Sequence, residues 1–429
     1  MARRFCSAEL VFKALIILLG VTFVQCSLIS GKNSSQVRRK INRLKRHALR
    51  SIQSEDGDII DCIDIYKQPA FDHPALRKHT IQMAPSYDTS MGTNVEETKT
   101  DALNTGDTKS VVSGFSQLWQ KSGSCPKGTV PVRRIREIGV LKSGLVERYG
   151  RKNPSISATQ QANYSLPLPL LTLNHYSYTL QKAILLTEGY SYSGVRGDIK
   201  VWNPNVEADD EYSTSQVSLK SGPYYFYESI ETGWAVNPGV YGDRQTRLFV
   251  YWTADASNKT GCFDLTCPGF VQTSNEIALG SAIYPLSVPG GLPYQITMYI
   301  FKDPNTSNWW VQYGEKINIG YWPPELFSIL HHGNAECAEW GGEVYSSRVG
   351  QSPHTATAMG NGQFPDFVVG NSGVIKRLRI RENSIDLKFP EWVSTYADEF
   401  NCYDAYYVAD YTEDPEFYYG GPGRNPRCP

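Results

Sequence analysis

The feature that most constrains the fold is a series of short β-prone runs separated by turns, which begins near residue 170. Residues 296–301 alternate between aliphatic residues and Thr, Tyr or Phe, and residues 248–252 form a continuous apolar and aromatic run. Asn-Pro and Gly-Gly pairs recur between such runs, and only Pro324 to Leu330 has helical character. Many short strands without intervening helices predict an all-β fold, an antiparallel two-sheet β-sandwich over residues 170–429.

The N-terminus has the pattern of a signal peptide. Three basic residues precede the apolar run 14–24, and small residues follow at Cys26 and Ser27. A run of 11 residues is shorter than the roughly 20 that cross a bilayer. We therefore expect a signal peptide over residues 1–27, a secreted protein, and no membrane attachment once the signal is removed.

Cysteine usage agrees with an oxidising compartment. Local spacing predicts disulfides between Cys262 and Cys267, between Cys402 and Cys428, and between Cys62 and Cys125. Cys337 is then unpaired, either as a structural thiol or, in the alternative reading, as a nucleophile. No CxxC pair and no ligand spacing of the histidines suggests a metal, and we predict no cofactor. The sequons at Asn33, Asn163, Asn258 and Asn305 are candidate glycosylation sites.

The net charge of −1 conceals two oppositely charged parts. Residues 28–169 contain 22 Lys+Arg and 13 Asp+Glu, a net charge of +9, whereas residues 170–429 contain 17 and 29, a net charge of −12. Within the basic part, residues 84–114 have the composition of a flexible insertion and residues 150–170 that of a linker. The two parts should attract each other at neutral pH, and the balanced total gives no indication of nucleic-acid binding.

Candidate chemistry lies in glutamates beside Gly and Trp. Glu231 is in Ile-Glu-Thr-Gly-Trp, and Glu339 and Glu343 flank Trp340 in Glu-Trp-Gly-Gly-Glu. A carboxylate among apolar neighbours is costly to ionise, and two that share a site separate in pKa, which is the basis of acid–base catalysis. The alternative is that these are exposed strand residues. Glu339 and Glu343 have the same strand parity, so periodicity does not choose between them. No serine-hydrolase elbow, zinc-protease motif or phosphate loop occurs.

The C-terminal part resembles the neprosin family of plant secreted proteins, whose founding members are proline-directed glutamic endopeptidases. The matching stretches are residues 201–206, 230–234, 247–255, 260–273, 307–310, 320–323, 339–343 and 417–423. Upstream, residues 61–74 resemble the activation peptide of the family. The resemblance implies that residues 28–169 are a disulfide-containing propeptide, that residues 170–429 are the peptidase domain, and that Glu231 and Glu343 are the catalytic pair in a cleft on the concave face of the sandwich.

The resemblance also implies a function. We expect a zymogen that hydrolyses peptide bonds after proline at acid pH, acts on peptide or protein substrates as a monomer, is inhibited by its own propeptide, and works in the apoplast, cell wall or vacuole. The opposite charges of the two parts and the composition of the linker predict release of residues 28–169 on acidification, with cleavage between about Ser155 and Leu171. The alternative is that residues 28–169 are a permanent domain. The alternative function is a catalytically weak or inactive sandwich that binds cell-wall carbohydrate or peptide.

Overall fold

The computed structural model describes most of the chain after the predicted signal peptide. The described residues are 39, 41–42, 47–87, 117–142, 148–154, 179–365, 372–409 and 414–429. The predicted signal peptide, most of the insertion at 84–114, the cleavage window at 155–171, Asn33 and Asn163 lie outside them. No helix in the described ranges is long and apolar enough to cross a membrane.

Strands dominate the described residues. The strands are β1 (Ala48–Gln53), β2 (Ile59–Asp64), β3 (Thr129–Arg133), β4 (Leu180–Tyr192), β5 (Gly194–Lys200), β6 (Tyr212–Ser221), β7 (Glu228–Val236), β8 (Arg247–Thr253), β9 (Cys262–Phe263), β10 (Val271–Gln272), β11 (Gln295–Lys302), β12 (Trp309–Tyr313), β13 (Ile317–Trp322), β14 (Ala335–Tyr345), β15 (Gly373–Arg381), β16 (Ser394–Ala397), β17 (Asp404–Val408) and β18 (Glu416–Gly420). The helices are short: α1 (Glu137–Lys142), α2 (Pro238–Tyr241) and α3 (Ile329–His332).

Two large antiparallel sheets form the sandwich. One has the order β16-β4-β14-β6-β7-β8-β9, and the other has the order β10-β13-β12-β11-β5-β15-β18-β17. The predicted all-β, antiparallel two-sheet sandwich is confirmed. The brief helical stretch predicted at 324–330 is a turn of 3₁₀ helix at Pro324–Leu326, followed by α3.

The core between the sheets follows from strand alternation. On β14, Trp340 is fully buried and its indole nitrogen donates to the carbonyl of Arg196 on β5. On β7, Trp234 is fully buried and donates in the same way to the carbonyl of Lys200. Each tryptophan thus ties the seven-stranded sheet to the eight-stranded one. The residues on either side of each tryptophan must then face away from the core.

A small third sheet lies upstream of the sandwich. β1, β2 and β3 pair in that order, and the disulfide between Cys62 and Cys125 closes the unit. We call the described residues 47–87, 117–142 and 148–154 the N-terminal segment. Part of it crosses the eight-stranded sheet: the Gln68 side chain exchanges two hydrogen bonds with the backbone of Gln272, and Ser86 donates to the carboxylate of Asp303.

The disulfides agree with the pairing predicted from spacing. Cys262 is joined to Cys267 and Cys402 to Cys428, in addition to the bond in the small sheet. Cys337 on β14 is the free cysteine of the described residues. Asn258 is partly buried and Asn305 is exposed, and glycosylation at either remains a prediction.

Candidate active site

Glu231 and Glu343 lie on the two strands that flank β6 in the seven-stranded sheet. Glu231 on β7 is opposite Ser218 of β6, and Glu343 on β14 is opposite Thr214. Each is an odd number of residues from the core tryptophan of its own strand, so its carboxylate leaves the sheet on the face opposite the core. The sheet therefore presents both glutamates on one face.

Both carboxylates are buried and hydrogen-bonded. Glu231 is 4% exposed and Glu343 is 3% exposed. The Ser229 hydroxyl donates to Oε1 of Glu231 at 2.7 Å, and the Tyr212 hydroxyl donates to Oε1 of Glu343 at 2.8 Å. These donors hold the two carboxylates in fixed positions. The alternative that Glu231 and Glu343 are exposed strand residues is thus wrong for the structure described.

A single lysine of the N-terminal segment joins the two glutamates. Nζ of Lys152 lies 2.6 Å from Oε2 of Glu231 and 2.9 Å from Oε1 of Glu343. The same ammonium group lies 4.9 Å from the centre of the Tyr251 ring, within range of a cation–π contact. Because one nitrogen contacts both carboxylates, the two glutamates face each other across it.

The charges of this group reinforce one another. Burial opposes ionisation of Glu231, but the ammonium groups of Lys152 and Lys220 outweigh it and hold the pKa of Glu231 below its ordinary value of 4.5. Burial likewise opposes the charge on Lys152, yet Glu231 and Glu343 raise the pKa of that lysine. In the structure described, Lys152 is charged and stabilises the ionised form of Glu231.

Several contacts fix the short stretch that carries Lys152. The Tyr149 hydroxyl donates to the carbonyl of Val240 at 2.8 Å, and the backbone nitrogen of Phe263 donates to the carbonyl of Gly150 at 2.7 Å. Phe263 belongs to β9, at the end of the same sheet. Residues 149 and 150 are therefore anchored on the sandwich just before Lys152, whose ammonium group lies between the two glutamates.

Gln216 is another polar residue on the same face, and it was not singled out from the sequence. It is opposite Gly233 of β7 and Gly341 of β14, so it occupies the row between Ser218 and Thr214. The side chain is 5% exposed, and its Oε1 atom has no hydrogen-bond partner among the described residues. Its two cross-strand neighbours, Gly233 and Gly341, have no side chains that could cover this amide.

Glu339 lies on the same face but has different partners. Its Oε2 atom accepts from Nζ of Lys220 at 2.5 Å and from Nζ of Lys182 at 3.4 Å. Burial opposes its ionisation, but the two ammonium groups lower its pKa to about 2. The structure thus shows that Glu339 and Glu343 have different partners, a distinction that strand parity alone could not make.

Cys337 has the properties of a structural thiol. Burial, reinforced by the charge of Glu339, raises the pKa of its thiol to about 12. A reactive cysteine must be a thiolate near neutral pH, whereas a thiol with a pKa of about 12 stays protonated there. The nucleophile alternative therefore has no support in its surroundings.

Family comparisons agree with this organisation. The family model described as Neprosin activation peptide matches residues 51–181, which include Lys152, and the model described as Neprosin matches residues 209–422, which include Glu231 and Glu343. Among solved structures, a scytalido-glutamic peptidase with a transition state analog inhibitor is 9% identical with a TM-score of 0.31, over 56% of this chain and 98% of that chain. SCP-B, a member of the Eqolisin family in complex with the tripeptide Ala-Ile-His, is 10% identical with a TM-score of 0.28, over 57% of this chain and 97% of that chain. On the two consecutive matches to its sequence, the chain belongs to the neprosin family, with an activation peptide followed by a neprosin domain.

Proposed function

We propose that this protein is a secreted glutamic endopeptidase made as a zymogen, in which Glu231 and Glu343 activate the attacking water. The observation that supports the proposal most strongly is the contact of one buried ammonium group with both carboxylates. Two buried carboxylates are costly to ionise together without a cation. Once Lys152 is removed, the pair should therefore hold one shared proton and titrate as a unit.

A carboxylate pair that shares one proton has the two groups that peptide hydrolysis needs. The ionised member takes a proton from a water molecule, which attacks the scissile carbonyl carbon. The protonated member donates a hydrogen bond to the carbonyl oxygen as negative charge develops there, and later supplies a proton to the leaving amine. This mechanism requires neither a covalent intermediate nor a metal.

We assign to Gln216 a supporting role at the oxyanion. It lies on the same face as the pair, in the row between their β6 partners, and it is buried. An amide donor fixed in a site from which water is excluded stabilises developing negative charge without having to reorganise. Loss of such a donor lowers kcat by about 10²- to 10³-fold in other hydrolases.

Lys152 keeps the zymogen inactive. Its ammonium group occupies the space that the water and the scissile bond would need, and it holds Glu231 in the ionised state. Protonation of Glu231 at acid pH removes its attraction to the ammonium group, so the N-terminal segment should separate as the pH falls from about 4.5 through the lowered pKa of Glu231. The same acid range leaves one proton on the pair, so release and activity should coincide.

We propose a preference for cleavage after proline. The aromatic rings of Tyr251 and Phe263 lie 4.9 and 5.9 Å from the lysine nitrogen and line the site that Lys152 would vacate. A flat aromatic surface suits the pyrrolidine ring of proline. A substrate series that differs only in the residue before the scissile bond tests this preference.

The experiment that tests the function compares four variants on a proline-containing peptide at acid pH, each first freed of its N-terminal part by tagged wild-type enzyme that is then withdrawn. Glu231→Gln and Glu343→Gln should each lower kcat by roughly 100- to 10,000-fold, because each removes a proton donor or acceptor without changing shape. Gln216→Leu should lower kcat by about 100-fold. Glu336→Gln, an exposed position on the same strand as Glu343, is the matched control and should have the wild-type kcat.

Folding of each variant is checked by its thermal unfolding midpoint, so that a loss of activity reports on chemistry. If both glutamate variants retain turnover, the glutamic mechanism is wrong. If the processed wild-type protein binds the peptide and never cleaves it, the protein is a binding module.

A further inference from the structure

Three lysines and three glutamates converge on one face of the seven-stranded sheet. The catalytic glutamates of the proposed mechanism bind Lys152, whereas Lys182 and Lys220 both end on a single oxygen of Glu339. The Ser218 hydroxyl also lies 3.4 Å from that oxygen. The six charges balance only while the N-terminal segment is in place.

The two groups of lysines differ in what happens to them on activation. Lys152 belongs to the segment that is removed. Lys182 and Lys220 are on β4 and β6, and they stay with the sandwich. They are resident ammonium groups beside two carboxylates that have just lost their cation.

The register places the resident lysines within reach of the catalytic pair. Lys182 is directly opposite Glu343 in the β14–β4 ladder, a position from which cross-strand ion pairs normally form. Lys220 is opposite Ser229, two residues from Glu231 on the same face. Nζ of Lys182 nevertheless reaches past Glu343 to Glu339, and Nζ of Lys220, which is opposite Cys337 in the β14–β6 ladder, also contacts Glu339.

We propose that Glu339 is a positioning residue that holds Lys182 and Lys220 away from Glu231 and Glu343, so that the mature site stays open when Lys152 leaves. This inference rests on the proposed function of the pair. Without the charge of Glu339, two ammonium groups would face each other with no carboxylate between them, and their nearest partners would be Glu343 and Glu231. A resident lysine would then occupy the site in the way that Lys152 does.

A resident lysine on the catalytic pair would act as an intramolecular competitor of the substrate. Such a competitor reduces the fraction of molecules that can bind substrate, and the apparent affinity falls by that fraction. Saturating substrate displaces it, so kcat is retained. Loss of a catalytic group has the opposite signature, since it lowers kcat.

The test uses the processed enzyme with Glu339→Gln, alone and combined with Lys182→Met and Lys220→Met. Glu339→Gln alone should raise KM about tenfold while kcat stays within about threefold of wild type. The triple variant should return KM to near the wild-type value, because no resident ammonium group remains to occupy the pair. Replacement of a buried charged cluster by apolar side chains of similar volume is commonly neutral for folding.

A second measurement does not depend on peptidase activity. In the full-length protein at neutral pH, Lys152 is 4% exposed and should be protected from trypsin. In Glu339→Gln the resident lysines compete for the pair, so cleavage after Lys152 should become several-fold faster than in wild type, and the triple variant should restore protection.

Two results would overturn the inference. One is an unchanged KM and unchanged trypsin protection in Glu339→Gln. The other is a loss of kcat that the triple variant does not recover, which would mean that Glu339 acts on its own. An inactive processed wild-type protein would refute the proposed function instead, and the trypsin comparison would still decide the role of Glu339.

Discussion

At the scale of single residues, the state of the site is set by one ammonium group. Lys152 lies in the stretch 150–170, whose composition indicates a linker, and it is one of 22 Lys+Arg in residues 28–169. No local pattern distinguishes it from the others, because its role depends on contacts with strands about 80 and 190 residues away. The sequence could single out Glu231 and Glu343 because they lie in motifs of the family that it resembles; the structure brings the two together, and their catalytic role stays a prediction. Gln216 could not, since a polar residue on an alternating strand is unremarkable.

Lys152→Met in the full-length protein tests the lysine directly. The change keeps the aliphatic stem and removes the charge, and breaking a buried ion pair typically costs about 3–5 kcal/mol. We expect a lower unfolding midpoint at neutral pH. We also expect a flatter dependence on pH, because a glutamate with a lowered pKa contributes stability that is present above 4.5 and is lost as the pH falls through the lowered pKa.

Arg151→Gln, the preceding residue, is the matched control and should keep the wild-type profile. An unfolding profile of Lys152→Met that coincides with the wild-type profile from about pH 3 to pH 7 would contradict the role assigned to the lysine.

Asp264 is a buried carboxyl group whose pKa is raised, in contrast to those of Glu231 and Glu339. Burial raises its pKa to about 7, although the Val250 backbone nitrogen and the Tyr241 hydroxyl both donate to it. Because the pKa is raised on folding, its ionisation lowers stability as the pH rises from about 4 to 7. The oxygen of Asn can still accept from the Val250 nitrogen, and its amide nitrogen can donate to the Tyr241 hydroxyl, which reverses that bond. Asn also tolerates the positive φ of 54° at this position.

Asp264→Asn should therefore raise the unfolding midpoint by a few °C at pH 8 and have little effect near pH 4. The measurement is a thermal melt of full-length protein at both values. If the unfolding midpoint of Asp264→Asn rises more at acid pH than at alkaline pH, the pKa of Asp264 is not raised on folding.

At the scale of elements, alternation along the strands accounts for both the core and the site. The same period of two that buries Trp234 and Trp340 turns Glu231 and Glu343 to the opposite face. That these tryptophans and glutamates face opposite sides of the sheet could be predicted from the sequence. The order of the strands could not, because β5 pairs with β11 and β15, which lie about 100 and 180 residues later, and no local pattern encodes such pairings. Helix α1 was missed because Glu137–Lys142 is too short to establish a helical period.

Docking of the small sheet depends on a buried aspartate in the turn between β1 and β2. Asp58 is 1% exposed, and its carboxylate contacts Arg133 at 3.0 Å and Arg136 at 3.0 Å within the N-terminal segment. It also contacts Arg247 of β8 at 2.5 Å. Burial opposes its ionisation, yet Arg133 and Arg247 lower its pKa. This carboxylate therefore joins the small sheet to the sandwich at a second place, away from Lys152.

Asp58→Asn should lower the free energy of unfolding of the full-length protein by about 3–5 kcal/mol, because it leaves Arg247 without one of its buried partners. Asp61→Asn is the matched control. Asp61 is paired with Arg134, whose side chain is 42% exposed and which directly follows β3, and ion pairs near the surface contribute at most about 1 kcal/mol. Urea denaturation of the two variants measures the difference, and equal losses would contradict a role for Asp58 in docking.

At the scale of the whole molecule, the opposite charges of the two parts meet at particular contacts. Lys152 and Arg136 of the basic part pair with acidic residues of the sandwich. Asp58, an acidic residue of the basic part, pairs with the basic Arg247 of the sandwich. The net charges of +9 and −12 therefore indicate only that the two parts attract each other. A few buried ion pairs determine where they are in contact. Acid should weaken these contacts, because the carboxylates of both parts become protonated.

The measurement that tests the central claim most directly is mass spectrometry of the full-length protein and its Glu343→Gln variant, incubated with a proline-containing peptide across about pH 3 to pH 7. The account predicts that wild-type protein loses its N-terminal part and cleaves the peptide, both below about pH 4.5, with the new N-terminus between Ser155 and Leu171. Glu343→Gln should do neither at any pH. An intact wild-type chain with an uncut peptide at acid pH, or a Glu343→Gln variant that processes itself and cuts the peptide as wild type does, would contradict it.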